Sequence, residues 1–546
     1  MENLLNGWGT TLATFSPLVG VAIMMLIPRE REHQHKMVAL VTSLWVAFLG
    51  VLLLIWFDMG QTGQLQFVVD KPWIDVISSR YLMGIDGMSL PLILLTMLIV
   101  PLCIVYSWDH FPDPVNPKAF LILILILETG MIGTFVAQDL VLFFVFFEVV
   151  LLPMFFMIAV WGGEDRRYAS LKFFLYTLFG SALMLVSFLA LFFLTGADTF
   201  SFAGLSDAVA AGGVSRTAQL WIFGGMFLGF AIKVPMFPFH TWLPDAHTQA
   251  PTVGSVILAA VLLKLGTYGF VRIAIPILPE AAVAWAPWIG LLAVVGIIYG
   301  ALGCLAQTDM KRLIAFSSVA HMGFVMLGIA TLTDFGINAA IMGMVAHGLI
   351  TGMLFFVAGS VKERFHTLEI NRLGGLLVQS PRMGWIFGFC VMASLGLPGL
   401  AGFWGEFPAI LSAYQPANGV PVEIFRVYMV VAALGTVLAA GYLLWLLQRV
   451  AFGNPTEEFA EAPNITDTTK HEWIAWAPLL ALIVAIGIYP NLVFRVTDGA
   501  VDASLNECLR VDVQVLTADE VAALGCSDVY GLGGGSDAPV EHAVGN

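Results

Sequence analysis

Runs of apolar residues long enough to cross a lipid bilayer recur along the whole chain, and this feature constrains the fold more than any other. A helix needs about 20 apolar residues to span roughly 30 Å of hydrocarbon, and only helices and closed barrels satisfy their backbone hydrogen bonds there. The chain is 59% hydrophobic and only 11% charged over 546 residues. The sequence lacks the short alternating segments of barrel strands. We therefore expect an all-α polytopic membrane protein.

The apolar runs predict about fourteen transmembrane helices. Their centres are expected near residues 19, 47, 97, 128, 149, 182, 233, 263, 294, 320, 349, 398, 437 and 483. The expected segments are an N-terminal three-helix part at 1–118, five-helix repeats at 119–276 and 277–450, a loop and last span at 451–495, and an acidic, Gly-rich, partly disordered tail at 496–546.

Basic residues are distributed unequally between the two sides of the predicted helices. Cytoplasmic loops of membrane proteins carry an excess of Lys and Arg. The loop 362–382 carries four basic residues, Lys362, Arg364, Arg372 and Arg382, so we expect it in the cytoplasm. With an even number of spans, both termini are then expected outside. The net charge of −14 is assigned to acidic outer loops and the tail, so no nucleic-acid partner is expected.

The cysteines and histidines give no pattern typical of a metal or cluster site. Three of the five cysteines stand alone in separate predicted spans: Cys103, Cys304 and Cys390. Cys508 and Cys526 lie in the tail on the predicted oxidising side, where a disulfide and two unpaired thiols are both open. His240 and His247 are the one metal-binding pair to consider, but no carboxylate accompanies them at zinc-like spacing. We expect no metal and no nucleotide site.

Several titratable residues lie inside predicted spans. A charged side chain at mid-bilayer costs about 2.5–3.5 kcal/mol on insertion scales, so such residues normally face a partner or a hydrated path. The set comprises Glu128, Glu148, Lys233, Lys264, His321, His347 and Glu406. Glu148 and Lys264 lie too deep in their runs to reach the interface by snorkelling. Two interpretations follow: a path for protons, or inert ion pairs with ordinary buried histidines.

Two of the predicted spans contain helix-breaking residues. The stretch "FAIKVPMFPFHTWLPDAH" at 230–247 holds three prolines, and "SLGLPGLAGFWGEFP" at 394–408 holds Pro398 with four glycines before Glu406. Proline removes a backbone donor and breaks a helix, and broken helices persist at membrane depth only where they line a cavity or are buried in protein. Interrupted spans at corresponding places are typical of inverted-repeat transporters with the ion site at the breaks.

Residue spacing supports an internal repeat. Glu148 precedes Lys233 by 85 residues, and His321 precedes Glu406 by the same number, so each pair is shifted by 173. The same shift carries Pro235 onto Pro408, and "AQD" at 137–139 has a near echo in "AQTD" at 306–309. We therefore predict two five-span units, spans 4–8 and 9–13, each with a broken fourth helix. An odd number of spans makes the second unit inverted.

A proton pathway follows from pairing these groups. Burial away from water favours the neutral amine of a lysine, whereas a nearby carboxylate favours the ammonium. A movable Glu148 would therefore switch Lys233 between holding and releasing a proton. Lys264, His321 and His347 are predicted to relay the proton laterally, since imidazole accepts and donates near neutral pH. Glu406 would be the exit carboxylate.

The stretch "KVPMFPFHTWLPDAHTQAPTVGSVILAAVLLKLGTYG", with "DMKRLIAFSSVAHMG" and "LPGLAGFWGEF", resembles the antiporter-like subunits of respiratory complex I, the proton-translocating NADH-quinone oxidoreductase, in their M type, called subunit 4 in mitochondria. The resemblance covers most of spans 3 to 13. It implies that Glu148 and Lys233 are the Glu–Lys pair, that Lys264 is the central lysine, and that His321 and His347 connect it to the terminal acid. Glu406 is the terminal acid, where sister subunits usually have lysine.

The resemblance implies a non-redox subunit in the bacterial inner membrane, whose proton translocation is driven by quinone chemistry elsewhere. NADH, flavin, iron–sulfur clusters and quinone are then expected in partner subunits and no cofactor in this chain. Expected neighbours are two homologous antiporter-like subunits, the long lateral helix of one of them, and lipids. The alternative is a subunit of a multisubunit cation/proton antiporter, and a third interpretation is a scaffold with inert ion pairs.

Overall fold

The computed structural model describes residues 2–108, 111–460 and 465–505. Cys508, Cys526 and most of the predicted tail lie outside the described residues. The N-terminal part contains two long helices, a two-stranded antiparallel hairpin and a shorter apolar helix: α1 (Glu2–Leu26), α2 (Glu32–Trp56), β1 (Gln66–Ile74), β2 (Ser79–Ile85) and α3 (Leu90–Tyr106).

The next part of the chain covers the residues of the first predicted repeat. Its helices are α4 (Pro117–Val136), α5 (Leu140–Val149), α6 (Leu151–Trp161), α7 (Arg166–Thr195), α8 (Phe202–Ala210), α9 (Arg216–Lys233), α10 (Trp242–Gln249), α11 (Thr252–Ile257), α12 (Leu263–Gly269) and α13 (Ile275–Ile277). Two π-helical turns, Leu258–Leu262 and Phe270–Ala274, join the last three into one rod. Residues 234–241 separate α9 from α10, and we name them the first break.

The remaining helices cover the second predicted repeat and the C-terminal part. They are α14 (Pro279–Leu305), α15 (Met310–Ala330), α16 (Asp334–Phe365), α17 (Leu376–Gln379), α18 (Pro381–Ser394), α19 (Ala401–Ser412), α20 (Val422–Val450), α21 (Lys470–Ile488) and α22 (Asn491–Ser504). Residues 395–400 separate α18 from α19, and we name them the second break.

The predicted fold class, a polytopic helical membrane protein, is confirmed. Within the described residues, eleven helical segments are long and apolar enough to cross a membrane, counting α5 with α6 and α11 with α13 as continuous. Helix α3 is apolar but shorter, and the predicted spans centred at 233 and 398 consist of shorter helices on either side of the breaks. The exact count of fourteen spans therefore stays a prediction.

Burial separates central helices from peripheral ones. The most apolar stretch of α16 is entirely buried, and those of α15 and of the α11–α13 rod are 94% buried. The corresponding stretches of α2 and α7 are only 33% and 39% buried, with apolar side chains facing outward. Because charged groups are costly in lipid, the central helices are the ones that can carry titratable residues.

The two repeats begin their second helices in the same way. Asp139 caps α5 by accepting from the Val141 and Leu142 amides, and Asp309 caps α15 by accepting from the Arg312 amide. The first amide of each helix also donates to a distant carbonyl, Leu140 to Phe200 and Met310 to Leu368, both at 2.9 Å. These matched contacts support the repeat, whose inversion and exact bounds stay predictions.

Two elements on one face were not predicted. The β1–β2 hairpin occupies a loop in which the sequence pattern indicated no strand, and α22 extends to Ser504, past the predicted tail start at 496. Helix α22 docks on α16 through Thr497, whose Oγ1 donates to Asn338 Oδ1 at 2.6 Å. A Cβ at Gly87 would lie 1.9 Å from the Val496 carbonyl oxygen, so this close contact requires glycine.

Candidate functional site

His321 and Glu406 form a direct contact between α15 and α19. His321 Nδ1 lies 2.5 Å from Glu406 Oε1, and their side chains are 7% and 14% exposed. Glu406 reaches this position because the second break turns the chain before α19. Gly396 and Gly399 have φ of +69° and +92° there, a conformation that glycine adopts at little cost. A carboxylate can only accept, so the neutral His321 ring carries its proton on Nδ1.

Lys264 lies at the centre of the helix bundle, fully buried on α12. Its ammonium donates to the Ala259 carbonyl at 2.6 Å and to His347 Nδ1 on α16 at 2.7 Å. Because an ammonium has no lone pair, His347 accepts on Nδ1 and a neutral ring holds its proton on Nε2. Among the described residues, none is a hydrogen-bond partner of Nε2. The π-helical turns beside Lys264 are a type of irregularity that often occurs at functional sites.

The two histidines connect these contacts into one line. The ring centroids of His321 and His347 are 6.0 Å apart and nearly edge to face. A cavity of about 20 Å³ is lined by both rings, by Glu406 and Thr351, and by glycines of α16 and α19. A polar cavity needs about 10–15 Å³ to hold a water molecule. Lys264, His347, His321 and Glu406 thus form a buried polar line with one water-sized gap.

Lys233 and Glu148 are arranged differently. Lys233 ends α9 at the first break and is 2% exposed, yet its ammonium makes no hydrogen bond with any residue that the structure describes. The Nζ atom lies 4.6 Å from the centroid of the Phe147 ring, a cation–π contact that offsets part of the cost of burial. Glu148, the next residue along α5, is partly buried and interacts electrostatically with Lys233. The predicted pair is brought near without a direct hydrogen bond.

Asp245 on α10 anchors the far side of the first break, a contact that the sequence analysis missed. Its carboxylate pairs with Lys172 of α7 at 2.7 Å and with Arg312 of α15 at 3.4 Å. Trp242 connects the two sides of the break, because its Nε1–H donates a hydrogen bond to the Ile232 carbonyl at 2.9 Å. Asp245 lies within the proline-rich stretch at 230–247, but the sequence pattern does not indicate its two distant partners.

Ser394 and Tyr442 were also missed, and both approach His321. The Ser394 hydroxyl is 3.0 Å and the Tyr442 hydroxyl 3.5 Å from His321 Nε2. Ser394 is the last residue of α18, directly before the second break, and Tyr442 is a fully buried residue of α20. One sequence signal could have identified Ser394, because it is a serine that borders a Gly/Pro break inside an apolar span.

Among the described residues, the other titratable candidates make no hydrogen bond to this line, although His247 interacts electrostatically with Lys264 and His347. Glu128 on α4 is fully buried with no hydrogen bond to either carboxylate oxygen. His247 is fully buried and stacks on Phe355, with ring centroids 4.5 Å apart, while His240 stacks on Phe237 at 5.7 Å. In the described ranges, no group of three His, Cys, Asp or Glu side chains is placed to hold a metal ion. Cys103, Cys304 and Cys390 are buried and free.

The chain matches two sequence families along its length. Residues 137–434 match the family described as NADH:quinone oxidoreductase/Mrp antiporter, TM, and residues 18–134 match NADH-ubiquinone oxidoreductase chain 4, amino terminus. The chain is 43% identical over 505 residues to NADH-quinone oxidoreductase subunit M of Rhodobacter capsulatus, covering 90% of this chain and 94% of the relative. It is 39% identical to NADH-ubiquinone oxidoreductase chain 4 of Arabidopsis thaliana, covering 87% and 92%.

Solved structures share the fold. A chain of respiratory complex I from Thermus thermophilus with bound NADH superposes with a TM-score of 0.80 at 29% identity, covering 91% of this chain and 99% of that one. A chain of the Mrp complex from Dietzia sp. DQ12-45-1b has a TM-score of 0.76 at 19% identity, covering 92% and 97%, a likeness of fold alone.

The fold and the family match over residues 137–434 define a multi-pass membrane protein of the antiporter-like class. Relatives that are about 40% identical to this chain over nine tenths of its length identify the family within this class. The chain belongs to the NADH-quinone oxidoreductase subunit M family. The resemblance predicted from the motifs around Lys233, His321 and Glu406 is therefore confirmed.

Proposed function

We propose that this chain is a membrane-arm subunit of respiratory complex I, which translocates protons across the membrane while partner subunits carry electrons from NADH to quinone. Membership of the subunit M family supports the assignment. The observation that carries it is the buried line from Lys264 through His347 and His321 to Glu406, in which each neighbour is a proton donor or acceptor. Inert ion pairs would not need two histidines and a cavity between them.

The first step takes place at the first break. Lys233 is buried without a hydrogen bond, so its ammonium depends on the charge of Glu148 and on the Phe147 ring. Moving Glu148 away favours the neutral amine, because burial penalises the ammonium. Lys233 then releases its proton, and the return of the carboxylate restores the ammonium. Glu148 and Lys233 together act as the switch.

The second step runs along the polar line. Lys264 donates to His347 Nδ1, and a proton accepted there frees the one on Nε2. The gap to His321 is bridged through the small cavity, which has room for a water molecule. Glu406 accepts from His321 Nδ1 and is the exit acid. Histidine serves both relay positions because it accepts and donates protons near neutral pH.

The chain acts as a non-redox subunit of the enzyme. We assign NADH, flavin, iron–sulfur clusters and quinone to partner subunits, as the resemblance implies. In the described part of the chain the cysteines stand singly and buried, an arrangement that differs from the grouped thiolates of iron–sulfur sites. The roles left to this chain are to hold and pass on protons at Lys233, Lys264, His321, His347 and Glu406, with the Glu148 carboxylate controlling the protonation state of Lys233.

The proposed surroundings are the bacterial inner membrane, two homologous antiporter-like subunits, the long lateral helix of one of them, and lipids. Peripheral helices expose apolar residues, among them Trp221, Trp288 and Trp385, which membrane helices bury against lipid or neighbouring helices. The loop 362–382 is proposed to be cytoplasmic and both termini extracytoplasmic.

Thiol labelling tests this orientation. Val76, at the tip of the β1–β2 hairpin, is 96% exposed, and Glu457 is exposed in the loop before α21. In intact cells whose native cysteines are replaced, an impermeant maleimide should label Val76→Cys and should label Glu457→Cys only after lysis. The reverse pattern would mean that the orientation is inverted.

A cation/proton antiporter subunit is the second candidate, and the Mrp fold likeness is what favours it. The acid at Glu406 and the identity to subunit M relatives favour the complex I assignment instead. Genes for redox subunits beside this gene would support complex I. Ion-gradient-driven proton exchange by the purified chain alone would support the antiporter.

Lys264 gives the direct test of the function. In membrane vesicles with the assembled complex, Lys264→Ala should lower proton uptake driven by NADH oxidation by on the order of 100-fold, a typical loss on removing a proton-transfer group. Lys71→Ala is the matched control, because Lys71 is exposed on β1. Unchanged pumping in Lys264→Ala with a normal amount of complex would refute the relay.

A further inference from the structure

His321 faces two hydroxyl groups with its second ring nitrogen. Ser394 Oγ lies 3.0 Å and the Tyr442 hydroxyl 3.5 Å from Nε2, on the side of the ring opposite Glu406. Ser394 is 4% exposed and Tyr442 is fully buried. The Tyr442 hydroxyl also meets Ser317. Nε2 therefore has partners in a region closed to bulk water.

The protonation state of His321 decides which of these groups must donate. With its proton on Nδ1 facing Glu406, the neutral ring accepts at Nε2, so a hydroxyl donates to it. When His321 takes up a second proton, Nε2–H becomes a donor and needs an acceptor. A hydroxyl can turn from donor to acceptor by rotating its hydrogen, whereas an ammonium or a carboxylate offers one role only.

We propose that Ser394 and Tyr442 form a hydroxyl pair that positions His321 and reverses its hydrogen bonds each time the imidazole gains or loses the relayed proton. This inference rests on the proposed function and adds two positioning residues to it. Ser394 is the main hydrogen-bond partner of His321 Nε2 because its contact is shorter. Tyr442 is the second partner, which can take over when Ser394 is absent.

The place of Ser394 in the chain gives the pair a second consequence. Ser394 ends α18 and Glu406 lies on α19, so the two partners of His321 stand on opposite sides of the second break. A change in the break that moves one half-helix against the other alters the contact at Nδ1 relative to that at Nε2. His321 thereby senses the geometry of the break.

The test uses the assembled complex in vesicles, with NADH-driven proton uptake as the readout. Ser394→Ala should lower the rate about tenfold, because it removes the hydrogen bond that positions His321 in its charged form. Tyr442→Phe should lower it about twofold because its contact is longer. The double variant should lose more than the product of the two, since each hydroxyl substitutes for the other.

Rescue and isotope effects separate positioning from packing. Ser394→Thr keeps the hydroxyl and should restore most of the rate. The ratio of rates in H2O and D2O should rise in Ser394→Ala, because proton transfer through His321 becomes limiting, and should stay unchanged in the control Ser187→Ala. Ser187 is a buried serine whose hydroxyl bonds only within its own helix, to the Leu183 carbonyl.

His321→Gln distinguishes failure of the inference from failure of the function. If His321→Gln abolishes pumping but Ser394→Ala, Tyr442→Phe and the double variant pump normally, the hydroxyl pair is wrong and the relay stands. If His321→Gln itself pumps normally, the relay through His321 is wrong and the inference falls with it. If Ser394→Ala does not assemble, Tyr442→Phe and Ser394→Thr carry the test, and an unchanged isotope ratio in Tyr442→Phe overturns the pair.

Discussion

The two broken helices present opposite solutions to holding a titratable group inside a membrane protein. At the first break, Lys233 is buried without a hydrogen bond and rests near an aromatic ring. At the second break, Glu406 lies 2.5 Å from His321, which is itself bonded to Ser394. A titratable group without a fixed partner changes its protonation state when a nearby charge moves. A titratable group that is hydrogen-bonded to its neighbours can pass protons to them. The difference is consistent with the proposed roles, a switch at the first break and a relay terminus at the second.

The breaks also differ in how their half-helices are held. Helix α10 is fixed by ion pairs from Asp245 to α7 and α15. Helix α19 is held by close packing on α16, where a Cβ at Gly405 would lie 2.5 Å from Gly343 Cα. Ion pairs tolerate small displacements that a backbone contact does not. On this basis we expect the first break to move more easily than the second.

Removing the unpartnered lysine gives the largest expected effect. Lys233→Ala in the assembled complex should reduce NADH-driven proton pumping and turnover on the order of 100-fold. Lys233→Arg should do much of the same damage, because guanidinium keeps its proton at any accessible pH. Proton pumping and NADH oxidation, measured in vesicles, test both variants. Full pumping in Lys233→Ala would make this lysine structural and remove the switch.

Glu406 comes next. Glu406→Gln should lower pumping about tenfold, since the amide keeps one acceptor oxygen but cannot hold the exit proton. Glu406→Lys sharpens the comparison, because it places at the second break the residue type found at the first. Partial activity would mean that the exit needs a titratable group of either sign, and total loss that it needs an acid. Glu457→Gln, on an exposed loop residue, is the control.

Overpacking the second break tests whether its backbone contact is essential. Gly405→Ala should destabilise the α16–α19 contact by about 1–3 kcal/mol and lower the midpoint of thermal inactivation of the complex. Gly441→Ala is the matched control, because a Cβ there has nothing within 4 Å. Equal midpoints for the two variants would mean that α19 moves as easily as α10.

Glu148→Gln should have a several-fold effect on pumping, smaller than that of Lys233→Ala. The amide keeps the size of the side chain but removes the charge that favours the ammonium. The proton-pumping rate at low and high driving force is the measurement. A loss as large as that in Lys233→Ala would mean that the carboxylate itself carries the proton.

Asp245→Asn should have the smallest effect. The partly buried pairs to Lys172 and Arg312 contribute about 1 kcal/mol or less when partly solvated, so assembly should be retained and turnover should fall no more than about twofold. Proteolysis or thiol accessibility near the first break would report its loosening. A severe loss would show that the first break is as tightly constrained as the second.

The sequence by itself predicted the membrane class, both breaks and the six candidate site residues. The length of apolar runs, prolines within spans and charges within apolar runs are local sequence signals. They are informative because the bilayer sets the length of a span and penalises a charge inside it. Equal spacing within the pairs Glu148–Lys233 and His321–Glu406 indicated the repeat before any contact was known. The sequence did not indicate the hairpin, which packs on α1 through contacts of Phe67 and Tyr81 with Thr10 and Thr11. It did not indicate α22 either, which docks on Asn338 of α16.

Tertiary structure decided which candidates actually meet. Composition and spacing do not distinguish Lys233, which lacks a hydrogen bond, from Lys264, which donates to His347 across 83 residues of sequence. They do not bring Ser394, Tyr442 and Glu406 onto one histidine ring, since these residues come from three different helices. The sequence determines that titratable groups lie in the membrane, because that follows from local hydrophobicity. Which groups share protons depends on helix packing at separations of about 3 Å, which only the folded chain establishes.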